Sequence, residues 1–184
     1  MSTQTIEDLN PQQVEAVRTI EGPLLIVAGA GSGKTRVITY RIANMLEQGI
    51  PQKAILALTF TNKAAREMQQ RVREMTGKKL QGLMVSTFHA FGVTVIRNYV
   101  QALGYRENFS IYDTADQHHL LRDTAREIRF PLEDASPKML LGLFSQIKTG
   151  RREWDEEISE YKPLYDEYQS HMKLHNAVDF DDLI

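Results

Sequence analysis

The chain has 184 residues, 42% of them hydrophobic and 25% charged, with a formal net charge of −2 and no cysteine. This is the composition of an ordinary globular protein, and it excludes a disulfide framework, a thiolate metal site and a protein-wide basic field. No apolar run approaches the roughly 20 residues that a membrane helix needs. The N-terminal stretch Met1 to Asp8 has neither a basic segment nor an apolar core, so it is no secretory signal and a cytoplasmic protein is expected.

Asn10-Pro11 predicts a helix start, with Asn as N-cap and Pro in the first turn. Gln12 to Ile20 then places Val14, Val17 and Ile20 on one apolar face, and Glu21-Gly22-Pro23 ends the helix. Gln13 is open to two readings: a solvated surface glutamine, or an amide whose paired donor and acceptor suit the edge of adenine. Leu24 to Val27 is a short apolar run, β-branched at Ile26 and Val27, and reads as a strand buried on both faces. Gly29, Gly31 and Gly33 break it, and Thr35 to Leu46 carries an amphipathic helix pattern. Strand, glycine-rich turn and helix make a phosphate cradle. The turn Gly29-Ala30-Gly31-Ser32-Gly33 can aim successive backbone N–H groups at one anion, and the helix N-terminus adds about half a positive charge. Lys34 is placed to reach the β and γ phosphates of a nucleotide, and the Thr35 hydroxyl to hold magnesium. The strict form of this pattern opens on glycine, where this chain has Ala28.

After a turn at Gln48-Gly49-Ile50-Pro51, Ala54 to Thr59 predicts a second buried strand, and Ala64 to Met75 a helix closed by Gly77. Leu83 to Ser86 predicts a third strand, and Phe91 to Leu103 a helix stopped by Gly104. Alternating strands and helices argue for a parallel sheet with right-handed crossovers. Phe60-Thr61-Asn62-Lys63 and Thr87-Phe88-His89 each fall just past a strand's carboxyl end, where ligands bind in open α/β sheets. An aromatic beside polar groups at two adjacent strand ends suits a single-stranded nucleic-acid track. From Asp113 onward the chain reads as helical: Asp113 to about Ile128, Ser136-Pro137 to about Thr149, and Tyr161 to His175, with Asp179 to Ile184 opening another. His171 and His175 stand four apart on one helix face and read as surface histidines, since no third ligand is evident.

With these segments in place, the chain resembles the UvrD/Rep-type superfamily 1 DNA helicases from about Leu9 to Ile184. Leu9-Asn10-Pro11-Gln12-Gln13 is similar to the family's Q motif, which implicates Gln13 in reading adenine. Ala28 to Thr35 matches the family's form of motif I, Ala28 included, and the resemblance places Arg36 near the nucleotide. Thr59 to Ala65 is similar to motif Ia, and Ser86-Thr87-Phe88-His89 to the segment that follows it. Both imply contact with single-stranded DNA, through Phe60, Thr61, Asn62, Lys63, Thr87 and His89. Val178-Asp179-Phe180-Asp181-Asp182-Leu183 resembles a further family segment.

The resemblance implies an incomplete RecA-like P-loop domain in residues 1–110, followed by an inserted all-helical subdomain in 111–184. It further implies an ATP- and magnesium-using DNA helicase of 3′-to-5′ polarity. Its partners would be single-stranded DNA, duplex junctions and the remaining motor domains. The acidic pair of a hydrolytic site is missing from the expected place, so the chain by itself is expected to grip nucleotide without turnover. Asp166-Glu167 mimics that pair, but no buried strand precedes it. Two alternatives remain open from the residues alone: a non-catalytic nucleotide- and DNA-binding module, and a small P-loop kinase.

Overall fold

The computed structural model describes residues 6–132 and 136–184. The chain divides into two compact units, Met1–Thr87 and Phe88–Ile184. The net charge of −2 conceals a division between them: the first carries +4 and the second −6.

In the first unit, α1 (Pro11–Arg18) starts on the predicted cap, and Gln13 completes a capping box with Asn10. The 8-residue helix α1 leaves carbonyls without intrahelical partners at its C-terminal end. Two side chains of α2 (Lys34–Glu47) reach that end: Arg41 donates to the Ala16 carbonyl at 2.7 Å and Asn44 to that of Val17 at 3.1 Å. One face of α2 packs Val37 and Tyr40 against Leu9, Ala16 and Val17. Its other face puts Ile42 and Leu46 with Met68 and Val72 of α3 (Asn62–Thr76), over Ile55, Ala57 and Leu83. Thr61 caps α3 at the start, and Gly77, at φ 62°, ends it in the left-handed conformation that glycine adopts without strain.

The sheet of this unit is parallel, as the alternation of elements predicts. β1 (Leu56–Thr59) pairs with β2 (Met84–Thr87) in the register Leu56↔Met84 to Thr59↔Thr87. The first expected strand does not form. Leu24 to Val27 is without strand pairing, and Leu25 and Val27 are 86% and 88% exposed rather than buried on both faces. A central strand takes its hydrogen bonds from neighbours on each edge, and among the described residues β1 and β2 pair only with each other.

The second unit opens with α4 (Phe88–Asn98), which begins three residues before the expected Phe91 and stops before Leu103. Its core is the packing of α5 (Thr114–Glu127), α6 (Pro137–Lys148) and α7 (Lys162–Leu174), through Leu121, Leu140, Phe144, Leu164, Tyr168 and Met172. Asp113 and Ser136 cap α5 and α6 as predicted. The sequence reading missed a two-residue parallel pairing of β3 (Ser110–Ile111) with β4 (Ala177–Val178). Two residues are too short to show a strand period. Asn176, at φ 54°, supports this junction by accepting the Arg106 N–H at 2.7 Å. The end of the chain forms a 3-10 turn, Asp181–Leu183, rather than an α-helix.

His171 is not the surface residue expected. Its side chain is 14% exposed, and its Nδ1 lies 2.9 Å from Thr124 Oγ1. The Thr124 hydroxyl gives its proton to the Leu120 carbonyl, so it must accept from His171, which ties α7 to α5. Asp166 and Glu167 lie on α7, where Asp166 pairs with Lys162 one turn away, so the imitation of a strand-end acidic pair is a helix surface. No helix among the described residues is long and apolar enough to cross a membrane.

Candidate functional sites

The glycine-rich loop of the first unit has a definite shape. Gly31 and Gly33 take φ of 76° and 87°, values that strain any residue with a Cβ. Ser32 folds back on the loop, its Oγ donating to the Gly29 carbonyl at 2.7 Å. Lys34 bridges the loop's opening, its Nζ donating to the carbonyls of Ala28 (2.9 Å) and Gly29 (2.6 Å). An ammonium has three protons, so one donor of Lys34 remains for a ligand. Gly33 stands at the N-cap of α2, where no side chain caps the helix. The first-turn amides of Lys34, Thr35 and Arg36 are therefore offered no side-chain acceptor, and the positive end of the helix stays open to an anion. The loop, with Ala30 and Thr35, is solvent-exposed.

Gln13 is committed in a way that neither sequence reading anticipates. Its Oε1 accepts the Asn10 N–H at 3.1 Å, and its Nε2 donates to the Ser32 carbonyl at 3.1 Å. The amide thus ties the start of α1 to the glycine-rich loop. A Cβ on Gly33 would stand 3.2 Å from this Nε2, so Gly33 also makes room for the tie. One proton and one lone pair of the amide are left over. Arg36 lies over the Tyr40 ring at 5.5 Å and within 4.0 Å of Asp8, a half-exposed pair of small energetic weight.

At the end of β1, Phe60 is 89% exposed, and Thr61, Asn62 and Lys63 follow it, also exposed, into the first turn of α3. The Thr61 hydroxyl accepts the Ala64 N–H at 3.1 Å and keeps its own proton to donate. In register with Thr59, Thr87 ends β2 with its side chain buried, so it differs from the exposed Phe60–Lys63 group.

His89 belongs to the second unit, in the first turn of α4, and is exposed there. Beside it stands a residue the sequence reading left without a role. Phe180, half exposed, meets His89 edge to face, ring centres 5.5 Å apart at 84°. The available signal was an aromatic set inside the acidic run Asp179-Phe180-Asp181-Asp182.

That run is built as a turn closed on its own carboxylates. Asp179 Oδ1 accepts the N–H groups of Asp181 (3.0 Å) and Asp182 (3.1 Å), and Asp182 Oδ2 accepts the Asp179 N–H at 2.9 Å. The remaining oxygens meet Lys148 of α6, whose Nζ is 2.7 Å from Asp179 Oδ2 and 2.8 Å from Asp182 Oδ1. Gln117 of α5 donates to Asp179 Oδ2 at 3.0 Å. The side chains of Lys148 and Asp179 are only 8% and 2% exposed and that of Asp182 is 24%, so this is a largely buried ion triad.

Burial works against the charge of Lys148, yet Asp182 and Asp179 outweigh it and raise the lysine's pKa. Burial also opposes ionisation of Asp179, but Lys148 and the hydrogen bonds hold it below the ordinary carboxylate range. Asp182 is pushed up, by burial first, with Asp179 adding repulsion. Burial, assisted by these carboxylates, raises the phenols of Tyr105, Tyr165 and Tyr168 as well. The two aspartates oppose each other in acid, because Asp179 loses stabilisation as pH falls and Asp182 gains it. In alkali the signs agree. The lysine and the tyrosines hold protons more tightly folded than unfolded, so their contributions are intact below the ordinary values of 10.0 and 10.5 and drain away above them. Melting followed by circular dichroism should show the second unit losing stability from about pH 10 upward. Tyrosinate absorbance from Tyr168 should appear only with unfolding.

Compared with known proteins, residues 9–184 match the family described as UvrD/REP helicase N-terminal domain. Among curated proteins, the ATP-dependent DNA helicase PcrA of Bacillus subtilis is 40% identical over 196 residues, covering 100% of this chain and 26% of that protein. The protein of the same name from Staphylococcus aureus is 39% identical over 188 residues, with 97% and 26% covered. The chain thus spans about a quarter of the length of these relatives.

Proposed function

The chain belongs to the UvrD/REP helicase family, and on that premise we propose that it is the nucleotide-gripping, strand-contacting N-terminal part of an ATP-dependent DNA helicase of 3′-to-5′ polarity. The observation that carries this reading is the loop 28–35: two left-handed glycines, a lysine spanning the loop with a donor in reserve, and an uncapped helix start. Gly29 to Thr35 would grip the phosphates of ATP. Arg36 would stand near the nucleotide, and Gln13 would read adenine with the proton and lone pair that its bonds to Asn10 and Ser32 leave over. Thr35 would hold magnesium together with a carboxylate from elsewhere in the protein. Such an ion would neutralise phosphate charge.

Residues 1–110 would belong to a RecA-like P-loop domain and 111–184 to an inserted helical subdomain. In that domain Leu24 to Val27 would be a central strand, its partners supplied by further strands of the motor. Phe60, Thr61, Asn62, Lys63, Thr87 and His89 would line the single-strand track, with Phe180 added beside His89. Exposed aromatics offer stacking faces, and the +4 charge of the first unit attracts phosphates. The full protein would work in the cytoplasm on single strands and duplex junctions. Closure of the motor domains on ATP and their reopening would shift the strand-end segments along DNA.

The test is anisotropy of a labelled single-stranded oligonucleotide titrated with this chain. Binding should weaken with added salt, and Phe60→Ala should cost about fivefold or more, the smaller value of one base–aromatic stack. Binding that is unchanged by Phe60→Ala would remove β1's end from the track.

A further inference from the structure

The reading of His89 and Phe180 as track residues leaves open what holds Phe180 in place. It stands at the start of the three-residue 3-10 turn Asp181–Leu183, at the end of the second unit, with little helix or strand of its own to support it. Two anchors fix that turn from different sides. From α4, three residues after His89, Gly92 touches the backbone of Leu183 so closely that any Cβ there would overlap the Leu183 carbonyl. From α6, Lys148 binds both carboxylates that close the turn. No residue of α6 was predicted to touch DNA or nucleotide, and Lys148 lies 31 positions before Asp179.

We infer that Lys148 is a positioning residue for the DNA track: by neutralising Asp179 and Asp182 together it keeps the turn closed and Phe180 set against His89. The inference rests on the track reading above. The physical argument is one of charge. Both carboxylates need an ionised oxygen facing the same nearly buried point, and without a cation between them their repulsion is unscreened. Where the pH is high enough that Asp182, already pushed up, does not take a proton instead, the turn relieves it by releasing one carboxylate to water. Release of Asp182 frees the Asp179 N–H, release of Asp179 frees the N–H groups of Asp181 and Asp182, and either opens the backbone around Phe180. A lysine that merely stabilised the helices would be coupled to melting temperature and not to the setting of one aromatic ring.

The experiment uses the 184-residue chain and a single strand carrying 2-aminopurine, whose fluorescence is quenched when an aromatic ring stacks on it. Circular dichroism is recorded on the same samples. Lys148→Met should retain the helical spectrum, weaken binding about fivefold, and abolish at saturation the part of the quench that Phe180→Ala abolishes. Combining Lys148→Met with Phe180→Ala should cost nothing beyond Phe180→Ala alone, because the two act through one contact. Full quench at saturation in folded Lys148→Met overturns the inference, even if its melting temperature falls. If that variant does not fold, Lys148→Gln takes its place, since its amide can still donate a hydrogen bond but carries no charge. A reduced quench in folded Lys148→Gln then supports the inference, and an unchanged quench overturns it. A wild-type chain whose quench is indifferent to Phe180→Ala overturns the track reading itself, which separates that failure from failure of the role given to Lys148.

Discussion

Lys34→Ala is expected to lower ATP turnover by about 10²–10³-fold in a chain long enough to hydrolyse it, while leaving the fold of the first unit intact. The reason is local. Lys34 spans the mouth of the loop through the Ala28 and Gly29 carbonyls, and its third proton is the donor preorganised for the phosphates. Removing it takes away a charge-assisted bond at the place where negative charge collects, yet it strands no buried group, because the loop is exposed and water can satisfy both carbonyls. Lys34→Arg should not rescue, since a planar fork cannot replace a compact point charge cradled by two carbonyls. Steady-state ATPase measurement with single-stranded DNA decides the matter. Turnover within tenfold of the unaltered protein would mean that the loop does not grip the reacting phosphates.

Gly92→Leu should be the most damaging single change in the second unit. A Cβ at this position overlaps backbone, not a flexible side-chain end, so α4 and the Asp181–Leu183 turn must separate. Overpacking of this kind costs about 1–3 kcal/mol or more, which for a unit of this size lowers the melting temperature by roughly 5–20 °C. His89 and Phe180 should part at the same time, so loss of stability and loss of single-strand binding should go together. Gly142 is the control. It lies in α6 with nothing within 4 Å of its added Cβ and with no positive φ, so Gly142→Ala should stabilise by about 0.5–1 kcal/mol. Thermal melts of the two variants should therefore move in opposite directions. Equal shifts would show that the tight approach at Gly92 is not a constraint on the fold.

The elements that were legible in the sequence are those whose determinants lie a few residues apart. Asn10-Pro11, Gly77, Asp113 and Ser136-Pro137 each mark a helix end, because a cap satisfies amides or carbonyls within one turn of itself. The loop Gly29 to Thr35 was legible for the same reason: the backbone angles and the lysine that shape it are contiguous. The two strand ends followed from alternation of strand and helix, and the parallel register of β1 with β2 agrees with it.

What the sequence did not reveal depends on partners far along the chain. A strand contains none of its own hydrogen-bond partners, so Leu24 to Val27 could be assigned a strand's composition but not a strand's neighbours. Gln13 shows a capping pattern in sequence, but its second bond, to Ser32, exists only because α1 docks beside the loop, 19 residues away. Gly92 gave no sign of the backbone it touches at Leu183, and Lys148 read as an ordinary helix-end lysine until two aspartates were found around it. The sequence by itself therefore determined the helices, their caps and the shape of the phosphate-type loop. Only the tertiary structure decided which strands pair, what Gln13 braces, and how a largely buried charge triad and a missing Cβ place Phe180 against His89. Local hydrogen bonds need only neighbouring residues, whereas burial, charge compensation and close backbone approach exist only once distant segments have met.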